Sequence, residues 1–209
     1  MSLLIKICGL STPETVDAAI EHGATHIGLV HYEPSPRHVD LKTAAELRKR
    51  AGRHVQVALL LVNASQQQTG EALAAVRPDI VQFHGGETAE WLAVVKRLVP
   101  AEIWKAVGLK DAGTLERIQK YQGAADRILF DAPAAALPGG NGTRFDWSLL
   151  KNHRHTMGWG IAGGLTPTNV AEALAATGAP LVDVSSGVES APGVKDVDKI
   201  AAFLKAARS

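Results

Sequence analysis

Short runs of consecutive apolar residues alternate with stretches whose apolar positions recur every three to four residues, from one end of the chain to the other. The short runs predict strands over residues 3–8, 26–30, 55–62, 80–83, 103–107, 128–130, 158–162 and 181–185. The stretches between them predict helices over 13–21, 41–51, 66–76, 89–99, 112–121, 147–152, 167–176 and 197–207. Ser11-Thr12-Pro13-Glu14 and Thr166-Pro167 carry the marks of helix starts, a capping hydroxyl close to an early proline. Gly23, Gly52, Gly123 and Gly178 fall just past helix ends, where left-handed backbone costs glycine little.

Strands and helices in alternation predict right-handed βαβ units and a parallel sheet. Eight such units in 209 residues predict an α/β fold, a closed (β/α)8 TIM barrel, as a single domain over residues 1–209. An open doubly wound sheet is the competitor. It needs fewer strands and a first turn of the G-x-G-x-x-G kind, which Cys8-Gly9-Leu10-Ser11 is not. Side chains alternate along a strand, so Leu4, Lys6 and Cys8 share one face and Leu3, Ile5 and Ile7 the other. Lys6, Gln82, Lys105 and Asp183 each fall near the middle of a predicted strand and are read as facing the barrel interior, where a charge needs a partner. The first and eighth strands of a closed ring are neighbours, so Lys6 and Asp183 are expected to point inward and pair.

Composition narrows the function. Hydrophobic residues make up 46% of the chain, enough for a substantial core. A net charge of +1 with no basic or acidic block argues against nucleic acid or a membrane as the main partner. The single cysteine, Cys8, cannot form an internal disulfide, which suits a reducing cytoplasm. No run is long enough to span a bilayer, and the first residues lack the layout of a secretory signal.

Barrel enzymes carry their chemistry at the carboxyl ends of the strands and in the loops that follow. Those ends hold Cys8, the 31–37 loop with Arg37, Gln82-Phe83-His84-Gly85, Asp131, Gly163-Gly164 and Ser185-Ser186-Gly187. Cys8 has Lys6 two residues behind it, and a nearby cation favours thiolate; read alone, the thiol is first a small buried hydrophobe, and its place at a strand end among the other site groups reverses that order. Asp131 is either a shielded general acid or a loop-capping carboxylate. Arg37 either grips a carboxylate with two hydrogen bonds or makes a surface ion pair. His84 either donates to a ligand or satisfies loop carbonyls. The turns at Gly163-Gly164 and Ser185-Ser186-Gly187 expose backbone N–H groups where this fold commonly binds phosphate, and a helix start after the first adds positive dipole. Residues 132–142, rich in proline and glycine, are long enough for a lid. The other histidines show no metal-ligand spacing.

Taken together, these motifs resemble the phosphoribosylanthranilate isomerase family of tryptophan biosynthesis over essentially the whole chain. The resemblance rests on Lys6-Ile7-Cys8-Gly9, Ser35-Pro36-Arg37, Gln82-Phe83-His84-Gly85, Leu129-Phe130-Asp131, Phe145-Asp146-Trp147, Ala162-Gly163-Gly164-Leu165 and Ser185-Ser186-Gly187-Val188-Glu189. It implies an Amadori rearrangement of N-(5'-phosphoribosyl)anthranilate to 1-(2-carboxyphenylamino)-1-deoxyribulose 5-phosphate, with no metal or organic cofactor. It implies Cys8 as general base and Asp131 as general acid, Arg37 on the anthranilate part, and the turns at Gly164 and Ser186 on the phosphate. The substrate-binding set is then Arg37, Gln82, His84, Gly163, Gly164, Ser185, Ser186 and Gly187. The only partner implied is this small phosphosugar-anthranilate substrate, and the chain is expected as a monomer or a homodimer.

Two departures from the family pattern stand out. His31 occupies a position where the family usually has phenylalanine, and the family usually carries a threonine and a lysine near Asn141 and Thr143, in the loop after the sixth strand. Two other functions compete. A ProFAR-isomerase-like barrel is expected to use two aspartates, and here the first strand ends in cysteine. A non-catalytic phosphate-binding barrel needs neither Cys8 nor Asp131.

Overall fold

The computed structural model describes residues 2–133 and 145–209. The predicted alternation produces strands β1 (Leu4–Cys8), β2 (His26–Val30), β3 (Gln56–Leu61), β4 (Ile80–Phe83), β5 (Glu102–Gly108), β6 (Arg127–Asp131), β7 (Gly158–Ile161) and β8 (Leu181–Val184). They pair in parallel in chain order and close into a barrel with β8 beside β1. Helices α1 (Pro13–Glu21), α2 (Leu41–Ala51), α3 (Gln66–Val76), α4 (Ala89–Leu98), α5 (Ala112–Arg117), α6 (Val170–Thr177) and α7 (Val197–Ala206) lie between and after them. Thr12, Asp40, Ser65, Thr88, Asp111 and Asp196 each accept a backbone N–H at a helix start. Each such cap contributes about 1 kcal/mol.

The period of two along each strand sorts side chains into an outer and an inner core. Outward residues such as Ile5, Ile7, Ile27, Leu29, Phe83 and Phe130 meet the helices in the larger core. Inward residues Leu4, Ala58, Ile80, Trp104, Ala106, Leu129 and Leu181 plug the barrel toward the amino ends of the strands. Above that plug lies a buried polar layer of Lys6, Gln82 and Asp183, and above it Cys8, Val30, Leu60 and Val62 line the mouth. The apolar plug leaves only the carboxyl end open for a ligand.

Lys6 and Asp183 are register partners on β1 and β8 and form the expected inward ion pair, at 2.7 Å. Lys105 departs from its reading. Trp104 and Ala106 take the inward positions of β5, so Lys105 points into the layer between barrel and helices. There its ammonium donates to Gly85 O (2.7 Å) and Ala106 O (3.0 Å) and pairs with Glu87 (3.2 Å).

Several boundaries also move. The fifth helix tightens into a 3-10 turn over Ile118–Tyr121, and residues Trp147–Leu150 make only a 3-10 turn. A segment that short cannot repay the cost of nucleating an α-helix. The helix predicted from Pro167 begins at Val170 instead. The Asn169 side chain accepts from Thr166 N and donates to Gly164 O, closing the preceding residues into a turn. After β8 a 3-10 turn (Ser186–Val188) leads into an unanticipated hairpin, β9 (Glu189–Ala191) with β10 (Val194–Lys195). Its turn contains Pro192-Gly193, a dipeptide that favours chain reversal. Most of the expected 132–142 lid, with Asn141 and Thr143, lies outside the described residues.

Candidate active site

Cys8 ends β1 with its side chain buried at the barrel mouth. It fits there because its register partner on β2 is Gly28. A Cβ on Gly28 would lie 2.7 Å from Cys8 Sγ and 3.1 Å from Lys6 Nζ, so the missing side chain makes room for both groups. Burial pushes the Cys8 thiol above its ordinary range, and the Lys6 ammonium opposes that shift. Burial pushes the Lys6 ammonium down, but the Asp183 carboxylate outweighs it and holds the group above its ordinary range. The arrangement is a neutral thiol next to a fixed cation, which turns into an ion pair when the thiol loses its proton.

Asp131 ends β6, across the ring from Cys8. Its Oδ1 accepts the N–H of Ala132 at 2.7 Å, and its Oδ2 lies 3.2 Å from His84 Nε2. Gly163 is required beside it for two reasons. Its φ is +72°, and a Cβ there would lie 2.6 Å from Asp131 Oδ1 and overlap Ala132 N. His84 is carried by a braced loop. Glu87 accepts N–H groups from Asn63 and Gly85, both at 2.8 Å, while Lys105 joins Glu87 to the Gly85 carbonyl. The misassigned lysine of β5 therefore anchors the loop that presents His84 to Asp131.

Arg37 is buried, not a surface group. Its Nε and Nη2 donate to Glu189 Oε1 and Oε2 at 2.7 and 2.8 Å. Its stem passes close to Gly9, where a Cβ would lie 2.8 Å from Arg37 Cδ. Glu189 Oε1 also accepts from Lys195 Nζ at 2.6 Å. Burial pushes Glu189 up, but hydrogen bonds from Arg37 and Lys195 outweigh it and hold the carboxyl below its usual range.

The two glycine turns close the cleft on the other side. Among the described residues the N–H groups of Gly163 and Gly164 have no acceptor, and Gly164 sits at φ +62°. Gly187 packs so tightly against Leu165 that a Cβ would overlap the Leu165 carbonyl oxygen. The loops after β7 and β8 therefore form one continuous wall. Because α6 starts at Val170, the turn at Gly163-Gly164 does not lead directly into a helix as predicted.

The structure brings nearly all of the predicted set to one cleft: Cys8, Arg37, Gln82, His84, Asp131, Gly163, Gly164, Ser185 and Ser186 line it. Gly187 does not line it but sets the spacing behind it. Tyr32 and Asp183 line it as well, and neither was in the predicted site set. Gln82 Oε1 and Asp183 Oδ1 are buried acceptors with no hydrogen-bond partner among the described residues. His31 does not reach the cleft, and its Nδ1 bonds Val39 O at 3.0 Å.

A cleft that gathers a thiol, a carboxyl and an imidazole at the carboxyl end of a closed eight-stranded barrel marks a (β/α)8-barrel enzyme. Residues 5–206 match the family model for N-(5'phosphoribosyl)anthranilate (PRA) isomerase, and the chain belongs to that family. An N-(5'-phosphoribosyl)anthranilate isomerase of Erythrobacter litoralis is 57% identical, covering 99% of each chain. One from Beijerinckia indica is 49% identical over 100% of this chain and 95% of its own. The solved phosphoribosyl anthranilate isomerase of Thermotoga maritima superposes with a TM-score of 0.90 at 32% identity, covering 99% of this chain and 98% of that one. A phosphoribosyl anthranilate isomerase solved in complex with reduced 1-(o-carboxyphenylamino)-1-deoxyribulose 5-phosphate gives 0.85 at 30% identity, with the same coverage.

Proposed function

We propose that the chain converts N-(5'-phosphoribosyl)anthranilate to 1-(2-carboxyphenylamino)-1-deoxyribulose 5-phosphate, an aldose–ketose type of isomerisation run by acid–base chemistry without a cofactor. Asp131 delivers a proton to the furanose oxygen, which opens the ring and leaves an imine at the first sugar carbon. Cys8 then removes the proton from the second carbon, giving an enolamine that becomes the ketone once the first carbon is protonated. The two protons leave and arrive at different sides of the sugar, so two groups on different strands suit the reaction better than one. His84, beside Asp131, is in place to restore its proton.

The observation that carries this reading is the pair Cys8 and Asp131 on strands β1 and β6 of one cleft. The unpaired acceptors of Gln82 and Asp183 suit sugar hydroxyl donors, since a buried acceptor without a partner costs about 1–3 kcal/mol until one arrives. The open N–H groups of Gly163 and Gly164, with Ser185, Ser186 and Gly187 opposite, suit a phosphate. Arg37 faces the carboxylate of the anthranilate ring.

All of these residues belong to a single chain, so the site serves a monomer or a homodimer. The Thermotoga maritima relative is described as dimeric, with monomers generated from it. A reducing cytoplasm is the compartment that suits the lone cysteine. Loss of substrate fluorescence on adding the purified wild-type chain tests the reading. Enzyme-dependent conversion without added metal is expected; tight binding with no conversion would make the chain a phosphosugar binder and overturn it.

A further inference from the structure

The loop after β4 contains a buried ion pair and a left-handed residue that the acid–base chemistry does not itself use. Lys105 and Glu87 are each 3% exposed in their side chains and meet at 3.2 Å. The Lys105 ammonium also donates to Gly85 O at 2.7 Å and to Phe83 O at 3.4 Å, so it grips the chain on both sides of His84. Glu87 accepts the N–H of Gly85 and, from the loop after β3, the N–H of Asn63. Asn63 stands at φ +50°, a conformation that side chains other than glycine's rarely take. Its Oδ1 accepts from Gly86 N at 2.7 Å, and a Cβ on Gly85 would overlap that same oxygen.

A turn alone does not need two desolvated charges, which are costly to bury. The N–H of His84 bonds Leu61 O at 2.9 Å and ends the β4 ladder, so the path of the chain beyond it is set by the ties at Gly85, Gly86 and Glu87. None of Asn63, Glu87 and Lys105 lines the cleft. The cleft group that their ties fix is His84, whose Nε2 lies 3.2 Å from Asp131 Oδ2. A misplacement of about 1 Å at such a contact is enough to slow a reaction about a hundredfold.

We propose that Lys105 is a positioning residue for the acid: through Glu87 and the Asn63 loop it holds the His84 ring where it returns a proton to Asp131 after ring opening. In that step His84 Nε2 gives its proton to Asp131 Oδ2, and the imidazole regains one from solvent. Cys8 in turn releases to solvent the proton it took from the sugar, which closes the cycle. Lys105 touches neither substrate nor reacting atoms and acts through the loop alone. The inference rests on the proposed reading of His84 as the group that restores Asp131.

The test is steady-state turnover with and without added imidazole, which supplies the proton carrier in free form. Lys105→Met should lower kcat about tenfold to a hundredfold and leave KM within about twofold. Imidazole should raise its kcat toward wild type as its concentration increases, and should not change wild type. A purely structural lysine would lower the active fraction without any response to imidazole. Asn63→Gly removes only the acceptor of the Gly86 N–H, since glycine takes φ +50° freely, and should show a smaller loss of about threefold with the same rescue. His84→Gly should be slow and rescued as well. Wild-type turnover in Lys105→Met, or a loss there that imidazole leaves untouched, would overturn the proposal alone. Should Lys105→Met fail to fold, Asn63→Gly decides, and wild-type turnover or an unrescued loss in that chain would overturn it. His84→Gly with wild-type turnover, or without rescue, would overturn the reading of His84 and the proposal with it.

Discussion

Turnover by Cys8→Ala and by Asp131→Asn is expected to fall by about two to four orders of magnitude each, with substrate binding largely kept, the range usual for one acid–base group. Neither substitution changes Arg37 or a residue of the glycine turns. Asp131→Asn can still accept the Ala132 N–H at Oδ1, so the β6 end keeps its shape while losing the proton it delivers. Cys8→Ala removes only Sγ, and the space beside Gly28 is small enough that the strand has no reason to shift. Because burial raises the Cys8 thiol, its base form grows as pH rises, and the wild-type rate should climb with pH on that limb. The climb should vanish in Cys8→Ala. Steady-state kinetics across pH reads both, and a full climb in Cys8→Ala would assign the limb to another group.

Lys6→Met should cost about 3–5 kcal/mol of stability, the usual penalty for removing one partner of a buried ion pair. Lys6 is fully buried, and among the described residues the Oδ2 of Asp183 has no other partner than this ammonium at 2.7 Å. Its Oδ1 has none among the described residues. Without the lysine, Asp183 must take up a proton or stay charged in the barrel centre. The double substitution Lys6→Met with Asp183→Leu should recover much of the loss, because a packed apolar pair replaces a desolvated ionic one. Urea unfolding measures all three chains. A Lys6→Met chain within about 0.5 kcal/mol of wild type, the range of an ordinary surface change, would show that the pair is not structural.

The barrel was legible because a strand has a strict period of two and a parallel ring fixes who sits beside whom. Those two facts were enough to pair Lys6 with Asp183, 177 residues away. They failed at β5, where apolar residues flank Lys105 on both sides and the pattern does not say which face is inside. Packing decided it: Trp104 and Ala106 fill the plug, and Lys105 found Glu87 on the outer side. Most site residues were legible because they stand at strand ends. Glu189 and Lys195 were not assigned roles, since their meeting with Arg37 depends on a hairpin whose only local signal is Pro192-Gly193. Asp183 was read as a structural partner, and its second oxygen in the cleft emerges only from the fold. The contact between His84 and Asp131 likewise depends on a loop braced through Glu87 by Asn63 and Lys105, which come from elsewhere in the chain.

The most direct test of the two-group mechanism is the isotope effect of deuterium at the second sugar carbon on the residual turnover of the two variants. If Cys8 removes that hydron, its loss leaves carbon–hydrogen cleavage as the slow step, and Cys8→Ala should show a primary isotope effect. If Asp131 opens the ring, its loss makes an earlier step slow, and Asp131→Asn should show little or none. Equal effects in both variants, or an effect confined to Asp131→Asn, would contradict the assignment of base and acid.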